Sequence, residues 1–172
     1  MRAIGKGSLA SILAMGLHVM RVVIWIAFVG LSIAVVMIPF AAVIVGLLSG
    51  VDGVNVDASV SIDGGDYLEI AYYFVTAAVL LFIINHLLEI LKTLRFGSPF
   101  VMENADRFRA IGYALLIGEL AKFAFGFLSI FIEADVDVGL ELITWIAIIA
   151  VFVLSEVFRE GARMKQEQEL TI

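Results

Sequence analysis

Residues 22–51 read VVIWIAFVGLSIAVVMIPFAAVIVGLLSGV, 30 residues between Arg21 and Asp52 without a single charge. As a helix this run is about 45 Å long, and a bilayer core needs only about 20 apolar residues. It reads as a membrane span. Three further stretches follow the same logic. Between Glu69 and Glu89 lie 19 uncharged residues, with Asn85 and His86 as the strongly polar groups among them. Ala110 to Ile132 is apolar apart from Glu119 and Lys122. Glu141 and Glu156 enclose 14 uncharged residues, and Leu140 to Phe158 reads as a span if both glutamates sit near the interfaces. The expected fold class is all-α membrane: a four-transmembrane-helix bundle forming one domain over residues 1–172, with spans near 22–48, 69–91, 109–132 and 140–160.

Composition agrees. Of 172 residues, 62% are hydrophobic and 16% charged, with a mean hydropathy of +1.08, against about 45–50% and about 25% in soluble domains. A net charge of -6 argues against direct nucleic-acid binding, and the absence of cysteine excludes a disulfide scaffold.

Basic residues set the expected orientation. Arg2, Lys6 and Arg21 precede the first span, Lys92, Arg95, Arg107 and Arg109 lie between the second and third, and Arg159, Arg163 and Lys165 follow the fourth. The other two loops hold nine acids and no base. Lys and Arg are retained on the cytoplasmic side. Ten of the eleven basic residues thus agree on a multi-pass membrane protein with both termini cytoplasmic. Residues 1–21 read as an interfacial amphipathic helix, with Leu9, Ile12, Leu13, Leu17 and Met20 on one face. Residues 161–172 read as a cytoplasmic tail of mixed charge.

In the first outside loop, Val54, Val56, Ala58, Val60 and Ile62 alternate with polar residues, and Asp63-Gly64-Gly65-Asp66 supplies a turn. Ala134, Val136 and Val138 repeat the alternation in the second. The two outside loops are expected to form a small extracytoplasmic β-structure. Their acids match no complete calcium-loop spacing, so the expectation is a solvated acidic face and no metal.

The inner loop, Lys92 to Arg109, carries Gly97-Ser98-Pro99-Phe100-Val101-Met102-Glu103-Asn104. Gly97 permits a turn, Ser98 can cap a helix and Pro99 can begin it. This run, with Arg109-Ala110-Ile111-Gly112, the stretch Val157 to Met164 and the ending Glu169-Leu170-Thr171-Ile172, resembles a family of bacterial four-span membrane proteins catalogued only as a domain of unknown function. The resemblance covers the four spans. It implies no reaction, cofactor or catalytic residue. It does imply a genomic neighbour, a small helix-turn-helix regulator of the Cro type, and hence a cytoplasmic transcription regulator as partner. Phe100, Asn104, Arg107, Arg109, Arg159 and Leu170 are the candidate docking residues.

Charges inside the spans are the second candidate site. Glu119 and Lys122 lie about 13 and 18 Å along the third span and, at i,i+3, can neutralise each other. A charge at a helix centre costs at least about 2.5–3.5 kcal/mol, so both should face the bundle interior. Asn85, His86 and Glu89 from the second span and Glu156 from the fourth are expected to converge on them. That cluster has three readings: interhelical hydrogen bonds that fix register, a proton or ion path, or a ligand pocket. No His/Cys cluster, phosphate-cradling glycine pattern or nucleophile–base pair is present, so no enzyme is expected. Ala110, Ala114 and Gly118 on the third span, and Gly30 and Ala34 on the first, form small-residue faces suited to internal packing or to a homo-oligomer. The expected function is a non-enzymatic, sensor-like regulatory subunit in the lipid bilayer; the alternative is a small channel or transporter subunit using Glu119, Lys122 and His86.

Overall fold

The structure, a computed structural model, describes residues 9–48, 64–96, 99–132, 139 and 141–170. It consists of four helices: α1 (Leu9–Leu48), α2 (Gly64–Phe96), α3 (Met102–Ile132) and α4 (Leu142–Glu169). Each contains a segment long and apolar enough to cross a membrane. In lipid every backbone N–H and C=O must be satisfied within the chain, and a helix does this within one segment. No strand occurs among the described residues. Residues 54–62 and 134–138, where the β-structure is expected, lie outside them. Gly64 and Gly65, read as a turn from sequence, instead form the first turn of α2.

The helices pack in chain order: α1 on α2, α2 on α3, α3 on α4, and among the described residues no other pair touches. The result is an open row rather than a closed bundle. Along the α2–α3 hairpin one register holds throughout. Gly64 faces Ile132, Tyr72 faces Phe125, Gly118 faces Val79, Glu89 faces Arg107 and Thr93 faces Asn104. Ala114 and Gly118 lie along the seam with α2, where a Cβ on Gly118 would lie 3.5 Å from Val79. Of the two small-residue faces, the one on α3 therefore serves internal packing. On α1, a Cβ added at Gly30 would meet no atom of the described residues within 4 Å.

The α3–α4 pair is staggered. Ser155 Oγ donates to the Ala105 carbonyl at 2.8 Å, Gly112 lies under the Phe152 ring, and Phe100 lies over Gly161. Lys122 is accordingly level with the start of α4, and α3 continues about 15 Å further to Ile132. At the other end α4 runs on past Gly161 for about 12 Å, to Glu169.

Sequence and structure part company in α1. Residues 9–21 do not form a separate interfacial helix. The helix is continuous through Arg21, and its apolar span is Leu9–Ile38. Nothing between Met20 and Val22 breaks a helix, and Ala10, Ala14 and His18 line a groove together with Asn85, Leu88 and Leu91 of α2. Phe28 packs edge-on against Phe74 at 4.8 Å, which sets the register of the two helices.

Candidate functional site

The polar residues expected to form one cluster fall into separate places. Lys122 does not pair with Glu119. Its Nζ donates to the Gly139 carbonyl at 2.9 Å and to Glu141 Oε1 at 3.3 Å, tying α3 to the residues that open α4. Lys122 and Glu119 are both buried residues, each 8% exposed. Glu119 borders a cavity of about 150 Å³ between α2 and α3, shared with Tyr72, Thr76 and Thr144, and its Oε2 has no hydrogen-bond partner among the described residues. The indole N–H of Trp145, next to Thr144, is likewise buried and unpartnered. A buried acceptor and a buried donor left over among the described residues are exceptions to the usual rule of satisfaction.

His86 is not part of that region. Its Nδ1 donates to the Phe82 carbonyl at 2.9 Å and its ring lies on Phe82. By the hairpin register it is about 12 Å along α3 from Glu119. Glu89 instead accepts from Arg107 Nε at 2.9 Å. Glu156 pairs with Arg159 on the exposed face of α4. Asn85 lines the α1–α2 groove.

The α2–α3 turn has its own centre, which the sequence motif did not reveal as internal. Asn104 is fully buried. Its Nδ2 donates to Thr93 Oγ1 at 2.6 Å and to the Pro99 carbonyl at 2.9 Å, while its Oδ1 accepts from Arg107 Nη1 at 2.9 Å. Thr93 Oγ1 in turn donates to Ile90, completing a network that clamps the turn. Placed there, Asn104 has no surface to offer a partner directly, and Arg107 is engaged by Asn104 and Glu89.

Phe100 is 42% exposed and packs on Phe158 at 5.4 Å; Phe108 meets Phe158 from the other side at 4.8 Å. A methyl group on Gly161 would sit 2.5 Å from Phe100 Cδ1, so only glycine lets the ring settle. Arg109 is half-buried, whereas Met164 and Leu170 on the α4 extension are 53% and 87% exposed. Of the candidate docking residues, then, Phe100 and Leu170 are exposed, while Arg159 is half-buried and paired with Glu156. Thr93, Gly161, Ser155 and Glu141 are the participants that sequence reasoning missed. The Gly161–Phe100 contact had a signal, a glycine inside an otherwise good helical run, which usually marks close approach.

A third constellation lies between α1 and α2 toward the α2–α3 turn. A groove of about 570 Å³ is lined there by His18 and Arg21 from α1 and by Asn85, Glu89 and Lys92 from α2, with apolar walls from Ala10, Ala14, Leu88 and Leu91. No group of three or more metal-binding side chains occurs among the described residues.

No curated protein and no solved structure matches the chain. A family model described as "Protein of unknown function (DUF2975)" matches residues 55–172, a stretch that takes in α2, α3, α4 and the whole Asn104 network. On that match, which covers well over half of its length, the chain belongs to the DUF2975 family.

Proposed function

We propose that the protein is a non-enzymatic regulatory subunit of the bacterial inner membrane, with both termini in the cytoplasm, that docks a small helix-turn-helix regulator. The observation that carries this reading is that the α2–α3 turn and the α4 extension are packed as one unit. Phe100 seats on Gly161 and Phe158, and Phe108 closes on Phe158. From this unit α4 runs on as a charged helix braced by Arg163–Glu167 and Lys165–Glu169 pairs, with Met164 and Leu170 exposed. Two segments distant in sequence thereby meet at one end of the molecule, where Phe100 and, nine residues beyond Gly161 along α4, Leu170 are exposed apolar groups. The positions of the basic residues support a cytoplasmic face for it. The helix-turn-helix identity of the partner rests on the family resemblance.

The test is co-purification with the helix-turn-helix protein encoded beside this gene. Binding is expected with the native chain and lost with Leu170→Glu or Phe100→Glu. Retention by both variants would overturn the surface, and no binding by the native chain would overturn the partner. The unpartnered Glu119 oxygen favours a second reading, an ion- or proton-conducting subunit. Flux in proteoliposomes that Glu119→Gln abolishes would establish it in place of the first.

A further inference from the structure

Arg21 stands in an unusual place. Phe28 faces Phe74, so Arg21, about 10 Å along α1, is level with about Leu81, near the middle of the uncharged stretch of α2 between Glu69 and Glu89. It lies within the apolar span of α1. A guanidinium stays charged in any protein environment, and at this depth it needs a counter-charge or a route to water. Among the described residues Arg21 has no ion pair. The carboxylate nearest in the groove, Glu89, is engaged by Arg107 at 2.9 Å. Arg21 instead opens into the groove shared with His18, Asn85 and Lys92, and Lys92 also has no ion pair among the described residues.

We infer that this groove binds the phosphate of an anionic phospholipid from the leaflet on the side of the α2–α3 turn. Three features select that ligand. Arg21 and Lys92, on different helices, supply two positive charges along one groove, and Asn85 adds an amide donor. A guanidinium binds phosphate oxygens bidentately, and a lysine ammonium serves as a second point charge. The walls formed by Ala10, Ala14, Leu88 and Leu91 are apolar and suit glycerol and acyl chain rather than a free inorganic ion. The volume, about 570 Å³, accommodates a headgroup. The groove also runs from Arg21 to Lys92, toward the end that carries the α2–α3 turn, and basic pockets between helices on the cytoplasmic side hold anionic headgroups. A bound lipid would bridge α1 to α2 and give Arg21 the counter-charge that the described residues do not provide.

Native mass spectrometry of the full chain in micelles doped with phosphatidylglycerol or with phosphatidylcholine of the same acyl composition tests this directly. The expected result is one retained phosphatidylglycerol, bound at least about ten-fold more tightly than phosphatidylcholine. Each lost cation should weaken binding about five-fold, so Arg21→Gln/Lys92→Gln should bring phosphatidylglycerol to the level of phosphatidylcholine. Arg163→Gln, on the α4 extension, should change nothing. Lys92→Gln alone, at an exposed position, keeps the test readable if the double variant fails to fold, and Lys92→Arg should restore binding. Equal retention of the two lipids by the native chain, or undiminished phosphatidylglycerol retention in Lys92→Gln, would overturn the inference. So would displacement of the lipid by millimolar inorganic phosphate, which would make the site one for the free ion.

Discussion

Replacing Asn104 by alanine should cost about 3 kcal/mol. The side chain is fully buried and makes three hydrogen bonds, to Thr93 Oγ1, the Pro99 carbonyl and Arg107 Nη1. Each is worth about 0.5–1.5 kcal/mol net, and partners stranded without a replacement add to the cost. Here the stranding is partial. Thr93 still donates to Ile90, Val101 N–H still reaches the Pro99 carbonyl at 3.2 Å, and Arg107 keeps Glu89. The loss is therefore close to that of the three bonds themselves plus a small cavity. Asn104→Asp separates the two contributions. It keeps the volume and the acceptor for Arg107, but sets carboxylate oxygens against Thr93 Oγ1 and the Pro99 carbonyl, so it should be no milder than alanine. Unfolding free energies in mixed detergent–SDS micelles measure both. A double-mutant cycle with Thr93→Val should give a coupling of about 1 kcal/mol. If Asn104→Ala lies within about 0.5 kcal/mol of the native protein, or the cycle shows no coupling, the turn is not held in the way described.

Gly161→Val places a branched side chain where the Phe100 ring lies and should destabilise by about 1–3 kcal/mol, with faster protease cleavage between α2 and α3 as the readout. Lys122→Met strands the Gly139 carbonyl and frees Glu141, so amide exchange should accelerate at Thr144 and Trp145, whose N–H groups bond to the Glu141 carbonyl; unchanged exchange there would deny Lys122 its role at the start of α4. Because the chain contains no cysteine, topology can be read from single-cysteine variants. In intact cells an impermeant maleimide should label Asp66→Cys and reach Gln166→Cys only after the membrane is opened, and the reverse pattern would invert the orientation.

The spans were legible because lipid tolerates no unsatisfied backbone, so long uncharged runs have one good structure. What sequence could not supply was the relation between helices. Leu9, Ile12, Leu13 and Leu17 suit an interfacial helix and equally a span with one side against a neighbour, and only the packing of Ala10, Ala14 and His18 along α2 distinguishes the two. Glu119 and Lys122 have the spacing of an ion pair, but which neighbour each finds depends on the stagger between α3 and α4, which no local pattern encodes. Asn104 stood out as part of a motif. Its role went unread because a polar residue in a loop is ordinarily on the surface, and this one is enclosed by the turn it clamps.

The stagger also explains how a lysine is accommodated deep in α3. Between Glu141 and Glu156, α4 offers about 21 Å of uncharged helix, less than the roughly 30 Å core of a bilayer. At one end of this stretch Glu141, with a side chain 63% exposed, meets Lys122. Lys122 thus reaches toward a polar boundary set by the short helix rather than ending in hydrocarbon, which makes it an anchor. Glu119 has no such outlet. It lies one turn nearer the α2–α3 turn, borders the cavity with Tyr72 and Thr76, and leaves Oε2 unpartnered. The two residues should therefore respond differently to loss of charge. Lys122→Met removes two observed hydrogen bonds, whereas Glu119→Gln keeps the volume and removes no hydrogen bond or ion pair seen among the described residues. Glu119→Gln is expected to leave unfolding free energy unchanged or to raise it by up to about 1 kcal/mol, since a buried oxygen without a partner contributes no bond to lose. A loss of more than about 1 kcal/mol would mean that Glu119 has a structural partner after all. If stability holds while regulator binding or ion flux fails, Glu119 is retained for function at a cost to stability.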